Sequence, residues 1–464
     1  LSGLKPGAFE VNYAHRMAMH ARAAILSIGD ELTLGQSLDT NSQWLSQRLA
    51  GMGVLVVEHS TVPDDEDAII AVLRRLSDPS SRVHLIVSTG GLGPTLDDLT
   101  RSALAGVMRE PLVEDAGALR AIESWFTGRG RVMPHINRVQ ALRPASARVI
   151  DNPRGTAPGL ACRLRGECDA FCLPGPPGEM KAMFEASVLP ALRVPPDRVL
   201  ITRMIQTFGL GESEIAERLG PIMDRDRNPL VGTTASGGHV ACRIRFDGDR
   251  DQSATQPEAM QKIDETEERI RSLLGAYALG VGELNIPHAA FNSLRIGAQT
   301  LSVAESCTGG MLGSFLTEVP GASAVFLGGF ITYSNEMKSS LLGVPPDLFK
   351  PGSVGAVSRE CAEAMARGCL ARAGSDHALS ITGIAGPDGG TAEKPVGAVW
   401  VCVASRQARM MMLESRRFLL GPGREAIRDW SAKLALAMLR FRLLGETSAP
   451  LLREQERHAH VMSI

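Results

Sequence analysis

Short apolar runs alternate with helical patterns through the first 190 residues, and this alternation most constrains the fold. Ala24-Ile25-Leu26-Ser27-Ile28 reads as a strand, Thr40 to Met52 as a helix, Val54-Leu55-Val56-Val57 as a strand, Glu66 to Leu76 as an amphipathic helix, and Val83 to Val87 as a third strand ending in glycines. Strands of four or five nearly all-apolar residues are buried on both faces. Separated by ten-residue helices, they form a βαβ series: a doubly wound α/β domain with a parallel sheet between helical layers.

A chain of 464 residues exceeds one ordinary core, and the pattern breaks where further domains are expected. After an N-terminal extension, 1–21, the first domain covers 22–195 and closes at Val194-Pro195-Pro196-Asp197. A small α/β domain follows at 199–282, read as strand, helix, two strands and a charged helix from Pro257 to Leu274. A third α/β domain covers 286–445, with strands near Thr300–Val303, Ala324–Tyr333, Ala378–Thr382 and Ala398–Ala404, and helices over Met311–Thr317, Ser358–Ala373 and Arg424–Leu439. The polar stretch 446–464 is expected to be a mobile tail, its His458 and His460 too isolated for a metal site. The chain does not begin with Met; Met17 and Met19 are the candidate starts, and residues 1–22 lack the apolar core of a signal peptide.

Composition excludes several classes of function. Net charge is -2, so no global positive field attracts nucleic acid, and four Trp with three Tyr leave few platforms for stacked bases. No run approaches the roughly twenty apolar residues that span a bilayer. The eight cysteines contain no Cys-x-x-Cys pair, which disfavours zinc and disulfide frameworks and fits reduced thiols in the cytoplasm.

Two glycine-rich loops carry the chemistry. Ser88-Thr89-Gly90-Gly91-Leu92-Gly93-Pro94-Thr95-Leu96-Asp97-Asp98 follows the third strand. Such a loop can offer the backbone of Gly90, Gly91, Gly93 and Thr95 to phosphate, with Asp97 on a divalent cation. Thr95-x-x-Asp98 also has the form of a capping box, which accounts for Asp98 without any ligand. Asp30 and Glu31 sit in the loop after the first strand. The second loop is Ala304-Glu305-Ser306-Cys307-Thr308-Gly309-Gly310, between a strand and a helix. There a serine is lifted out of the sheet beside the N–H groups of a helix start, a place for a nucleophile with an oxyanion site, although serine before a helix is commonly just a cap. Cys307 reads as a small buried apolar side chain.

Thr332-Tyr333-Ser334-Asn335-Glu336-Met337-Lys338, Thr382-Gly383-Ile384-Ala385-Gly386-Pro387-Asp388-Gly389-Gly390-Thr391 and Glu393-Lys394-Pro395-Val396-Gly397 follow the second loop. Together these segments resemble the C-terminal domain of the CinA family (competence/damage-inducible protein A), over roughly 286–443. The first loop, with Asn152-x-x-Gly155-Thr156-Ala157-Pro158-Gly159 and Leu173-Pro174-Gly175-Pro176-Pro177-Gly178-Glu179-Met180, is similar to that family's molybdopterin-binding-like N-terminal domain, and the small domain to its KH-like one. The resemblance implies deamidation of nicotinamide mononucleotide without a cofactor in the third domain. No His stands in these motifs, so Ser306 is expected as nucleophile with Lys338 as base, in a Ser-Lys type site. Tyr333 and Thr308 would assist. Asn335, Thr382, Gly383, Ile384, Ala385 and Gly386 would contact substrate, and Arg424 and Arg428, one helical turn apart, would take its phosphate. The family commonly has Gly-Asp-Arg before that helix; here Gly421-Pro422-Gly423-Arg424 lacks the acid. For the first domain the resemblance implies metal-dependent ADP-ribose hydrolysis, with Asp97, Asp98, Asp30 and Glu31 as candidate ligands; pterin or nucleotide binding without turnover is the alternative. A homodimer is expected, with no nucleic-acid or membrane partner.

Overall fold

A computed structural model describes residues 19–194, 199–248, 255–282 and 284–463. Residues 1–18 of the expected extension and most of the Pro-rich break lie outside the described residues.

In the first domain the alternation produces β1 (Arg22–Ile28), α1 (Asp30–Thr33), α2 (Thr40–Gly51), β2 (Leu55–Val62), α3 (Glu66–Leu76), β3 (Leu85–Thr89) and α4 (Thr100–Met108). Next come β4 (Leu112–Glu114), α5 (Ala116–Thr127), β5 (Leu142–Pro144), β6 (Arg148–Ile150), β7 (Gly159–Arg163), β8 (Asp169–Leu173) and α6 (Pro177–Met183). The sheet runs β2-β1-β3-β8-β7-β6. Its first four strands are parallel, while β7 and β6 return antiparallel, so the sheet is mixed rather than wholly parallel. Period-two side chains explain the layers. Ala23 and Ile25 pack with Leu45 and Leu49 of α2 and Met180 of α6, whereas Ala24, Leu26 and Ile28 pack with Ile69 and Leu73 of α3 and Leu104 of α4. Asp39 and Asp65 cap α2 and α3 by accepting from the amides of Ser42 and Ala68.

The small domain comprises β9 (Leu200–Phe208), α7 (Glu212–Leu219), β10 (Leu230–Ser236), β11 (His239–Asp247), α8 (Gln256–Leu274) and β12 (Ala278–Val281), with strand order β10-β11-β9-β12. The third domain comprises α9 (Ile286–Ile296), β13 (Leu301–Glu305), α10 (Met311–Thr317), β14 (Phe326–Ile331), α11 (Asn335–Leu342), α12 (Arg359–Ala373), β15 (His377–Gly383), β16 (Ala398–Gln407), β17 (Met410–Leu419), α13 (Arg424–Leu444) and β18 (Glu454–Ser463). Its sheet runs β14-β13-β15-β16-β17-β18, with β14, β13 and β15 parallel and the rest antiparallel.

The expected mobile tail is therefore corrected: residues 454–463 form the sheet's last strand, paired along β17. Polarity alone suggested solvation, but the polar groups have buried partners. Arg416 of β17 is fully buried, with Nη2 2.6 Å from Glu414 Oε1 and Nη1 2.8 Å from Glu454 Oε2. It also donates to the carbonyls of Thr447 and Ala449 at 2.8 and 2.9 Å. A buried guanidinium needs such partners, and the tail supplies them.

Candidate active site

Both loops sit at the C-terminal ends of parallel strands, and each is held by its own carboxylate. In the first domain Gly90 has φ 107°, and a Cβ there would lie 2.1 Å from the Ile28 carbonyl oxygen, so only glycine fits. Arg101 is buried, which lowers its pKa to about 10, and it donates to the carbonyls of Leu92 and Gly93. Asp98 accepts from the amide of Gly93 at 2.6 Å and from that of Thr95 at 2.8 Å. The Gly90 amide donates to Leu173 O at 3.0 Å. Three of the four backbone positions expected to cradle phosphate are thus spent within the protein.

The expected metal ligands do not assemble either. Among the described residues no three His, Cys, Asp or Glu side chains stand close enough to share an ion. Asp98 is committed to the loop, and Asp30 and Asp64 accept each other's amides at 3.2 and 2.9 Å. Asp64 was missed from sequence. Burial raises its pKa, and the charges of Asp30, Glu31 and Asp97 raise it further. Glu31, Asp64, Asp97, Asp98 and Glu179 line a cleft of about 360 Å³ with the glycine loop. Its negative charge suits a cation, but no ligand set is preformed.

The third domain brings its residues together. Ser306 follows β13, its amide donating to Ile381 O at 3.0 Å, and is 8% exposed. Ser334 caps α11 through the Met337 amide, at 3.2 Å, which sets the helix that carries Lys338. Lys338 is 1% exposed, and its Nζ stands 3.1 Å from Ser306 Oγ. The same nitrogen donates to the carbonyls of Thr332 at 2.9 Å and Tyr333 at 3.0 Å. Burial pushes the Lys338 pKa below its ordinary value. A neutral amine has two N–H groups and one lone pair. With two carbonyls taking the hydrogens, the lone pair is left for the serine hydroxyl.

Glu305 was quoted in the motif but given no role. Its buried carboxylate accepts from the amides of Gly310 at 3.0 Å, Leu312 at 3.1 Å and Gly313 at 2.9 Å. The α10 amides expected as free donors beside Ser306 are therefore occupied. The strand–turn–helix pattern signalled that a group would be needed there, and the adjacent acid supplies it. Burial pushes the Cys307 thiol up to about 12, so it stays protonated, and all eight cysteines are unpaired.

The other expected contacts divide. Arg428 forks onto the Thr308 carbonyl, Nη2 at 2.7 Å and Nε at 3.3 Å. Arg424 donates to Gly386 O at 2.7 Å and to the Tyr333 hydroxyl at 3.3 Å. Tyr333 is 62% exposed, and Thr308 Oγ1 is buried with no hydrogen-bond partner. Thr382 is turned away: its hydroxyl donates to Ala356 O at 2.8 Å. The Ile384 amide donates to Ala398 O at 2.9 Å and so does not face a substrate, whereas Gly383 ends β15 beside Ser306, whose amide donates to Ile381 O. Ala385 is buried, and Gly386 meets the site through its carbonyl on Arg424. Asn335 is exposed at the start of α11.

The sequence matches the CinA C-terminal domain over residues 284–443, a probable molybdopterin binding domain over 24–194, and the damage-inducible protein CinA KH domain over 202–280. It is 42% identical to a CinA-like protein of Synechococcus sp. across 90% of this chain and 97% of that one. The chain belongs to the CinA family. Another CinA-like protein, from Kosmotoga olearia, is 40% identical across 91% of this chain and 99% of its own. Among solved structures, the competence/damage inducible protein CihA of Agrobacterium tumefaciens is 39% identical, covering 34% of this chain and 93% of that one, with a TM-score of 0.32. The CinA domains thus follow one another in the order molybdopterin-binding-like, KH-like and C-terminal. No helix among the described residues is long and apolar enough to cross a membrane.

Proposed function

We propose that the third domain hydrolyses the carboxamide of nicotinamide mononucleotide, giving nicotinate mononucleotide and ammonia. The observation that carries the reading is the Lys338 Nζ to Ser306 Oγ approach of 3.1 Å, with both remaining directions at Nζ filled by carbonyls. Ser306 Oγ attacks the amide carbon while its proton passes to Lys338. The oxyanion is held by the amides of Cys307 and Thr308, the turn's donors that Glu305 does not occupy. Lys338 returns the proton to the departing nitrogen, ammonia leaves, and the nicotinoyl ester on Ser306 remains. Water then attacks the ester, Lys338 takes its proton and passes it to Ser306, and the acid is released. Arg424 is exposed at the N-terminus of α13, where no side chain caps the helix, which supports a role in taking the substrate phosphate. Arg428 instead holds the nucleophile's turn through Thr308.

The test is ammonia release from nicotinamide mononucleotide by the purified chain, with a wild-type rate no greater than that of Ser306→Ala overturning the assignment. For the first domain the acidic cleft supports a nucleoside diphosphate such as ADP-ribose, the cation arriving on the ligand's own phosphates. Calorimetry with ADP-ribose, with and without magnesium, checks this; binding that ignores the cation would refute it.

A further inference from the structure

The helix that carries both arginines has a second face. At about 100° per residue, Arg424 and Arg428 lie on one side of α13, while Trp430, Lys433, Arg440 and Phe441 lie roughly opposite. That second face is occupied by the small KH-like domain. The β10–β11 hairpin turns through Gly237 and Gly238, both at positive φ, and pairs Ser236 with His239. Lys433 donates to the Gly237 carbonyl at 2.9 Å. Gly238 lies so close to the Trp430 ring that a Cβ would come within 2.8 Å of it. Phe208 of β9 stacks against both Trp430 and His239, with ring centroids 5.6 and 5.1 Å apart. At the far end of the helix, Arg440 donates to the carbonyls of Ala276 and Ala278. Tyr277 packs edge-on against Phe441 and donates its hydroxyl to Pro450 O at 2.6 Å.

We infer that the KH-like domain is a brace for the arginine helix, and that Trp430 is a positioning residue for substrate binding in the third domain. The helix is held at Trp430 and Lys433 by the β10–β11 hairpin and at Arg440 and Phe441 by the segment that leads into β12. Its first two turns, bearing Arg424 and Arg428, are consequently fixed against Gly386, Tyr333 and Thr308. The grip at Trp430 stands on the same helix as Arg424, so a shift there is passed along the helix to the guanidinium proposed to take the substrate phosphate. Arg424, with no bond to the nucleophile's turn, is placed by the helix together with its bonds to Gly386 O and the Tyr333 hydroxyl. The KH-like domain, which lacks a Gly-x-x-Gly clamp for RNA, thereby has a task within the reaction. The kinetic part of this inference rests on the proposed deamidation.

The experiment uses the full chain and three variants, Trp430→Ala, Trp430→Phe and Gly238→Ala. Steady-state ammonia release is combined with hydrogen–deuterium exchange over 424–430. Loss of the grip should raise KM for nicotinamide mononucleotide about tenfold while kcat changes less than about threefold, the pattern of weakened binding rather than lost chemistry. Exchange in the first two turns of α13 should quicken in Trp430→Ala and Gly238→Ala, and Trp430→Phe should restore both readouts. Unchanged KM together with unchanged exchange in both Trp430→Ala and Gly238→Ala overturns the brace. An equal fall in kcat and kcat/KM with a lowered melting temperature also overturns it, since that pattern belongs to a merely structural residue. If the wild-type chain releases no ammonia, the deamidase reading falls, and the exchange data alone decide whether the brace exists.

Discussion

The first and third domains place the same device at the same point, yet only one device sets a serine against a buried amine. Each follows a buried parallel strand with a glycine loop, and each answers the loop's unsatisfied amides with one carboxylate: Asp98 on Gly93 and Thr95, Glu305 on Gly310, Leu312 and Gly313. The charged side chains that line the cleft around Asp98 are all acids. Beside Glu305, a serine meets a buried amine whose hydrogens are already committed. A glycine loop after a strand therefore specifies a backbone shape, and the groups opposite it decide whether that shape binds or reacts.

The sharpest way to break this comparison is Ser306→Ala. Ammonia release should fall at least about a thousandfold with the melting temperature unchanged, as expected for loss of a covalent nucleophile. Near-normal release would return the second loop to the same passive class as the first. Lys338→Arg should cost nearly as much, because a guanidinium keeps its proton at any accessible pH. With the native lysine the rate should climb with pH through an apparent pKa below about 10.4, the free-lysine value, because burial lowers it. A flat pH profile would make the amine a fixed charge instead of a base.

Acid should separate the domains next. His377 is buried in the third domain beside Ser405, and burial lowers its pKa to about 4. Its neutral form is the folded one, so the contribution is whole above the unfolded value near 6.5 and is lost as pH falls toward 4. The loss is roughly 3 kcal/mol. Asp169 in the first domain is held well below the usual carboxylate range: burial opposes this, but bonds from His20, Arg163 and Arg193 prevail. Its contribution is present above about 3.9 and fades only at lower pH. Calorimetry from pH 7 to 4 should show the third domain's transition moving first; simultaneous loss would contradict the assignment. The smallest effects come from a matched pair. Glu305→Gln should reduce ammonia release about tenfold by unseating the α10 amides, and Asp98→Asn should change it less than about twofold, the loops belonging to separate domains. Equal losses would mean that the domains communicate.

Sequence pattern carried the layered architecture, since all-apolar strands such as Ala24–Ile28 and capped helices such as Glu66–Leu76 are local signals. Ser306, Lys338, Tyr333, Arg424 and Arg428 were singled out chiefly by the family resemblance of their motifs; the structure sets Lys338 against Ser306 and Arg424 against Tyr333, and turns Arg428 onto the Thr308 carbonyl. What escaped depended on distant partners. Asp64 became notable only once Asp30, Glu31 and Asp97 surrounded it. Thr382 looked available until Ala356 took its hydroxyl. Strand β17, Met410–Leu419, carries Glu414 and Arg416 at its centre and so lacked a buried strand's apolar signature, although both are buried. Residues 454–463 are polar and largely exposed, and only their pairing along β17 makes them a strand.

That last strand also sets an order of events during synthesis. Residues 22–194 can close their sheet while the rest of the chain is still being made. The third domain cannot, because Arg416 waits for Glu454 and β17 for its outer neighbour until the ribosome has released residues 454–463. Through that interval one edge of the sheet is bare, and the buried guanidinium lacks one of its two carboxylates. Deleting residues 454–463 would leave β17 as a bare edge and take from the buried Arg416 one of its two carboxylates.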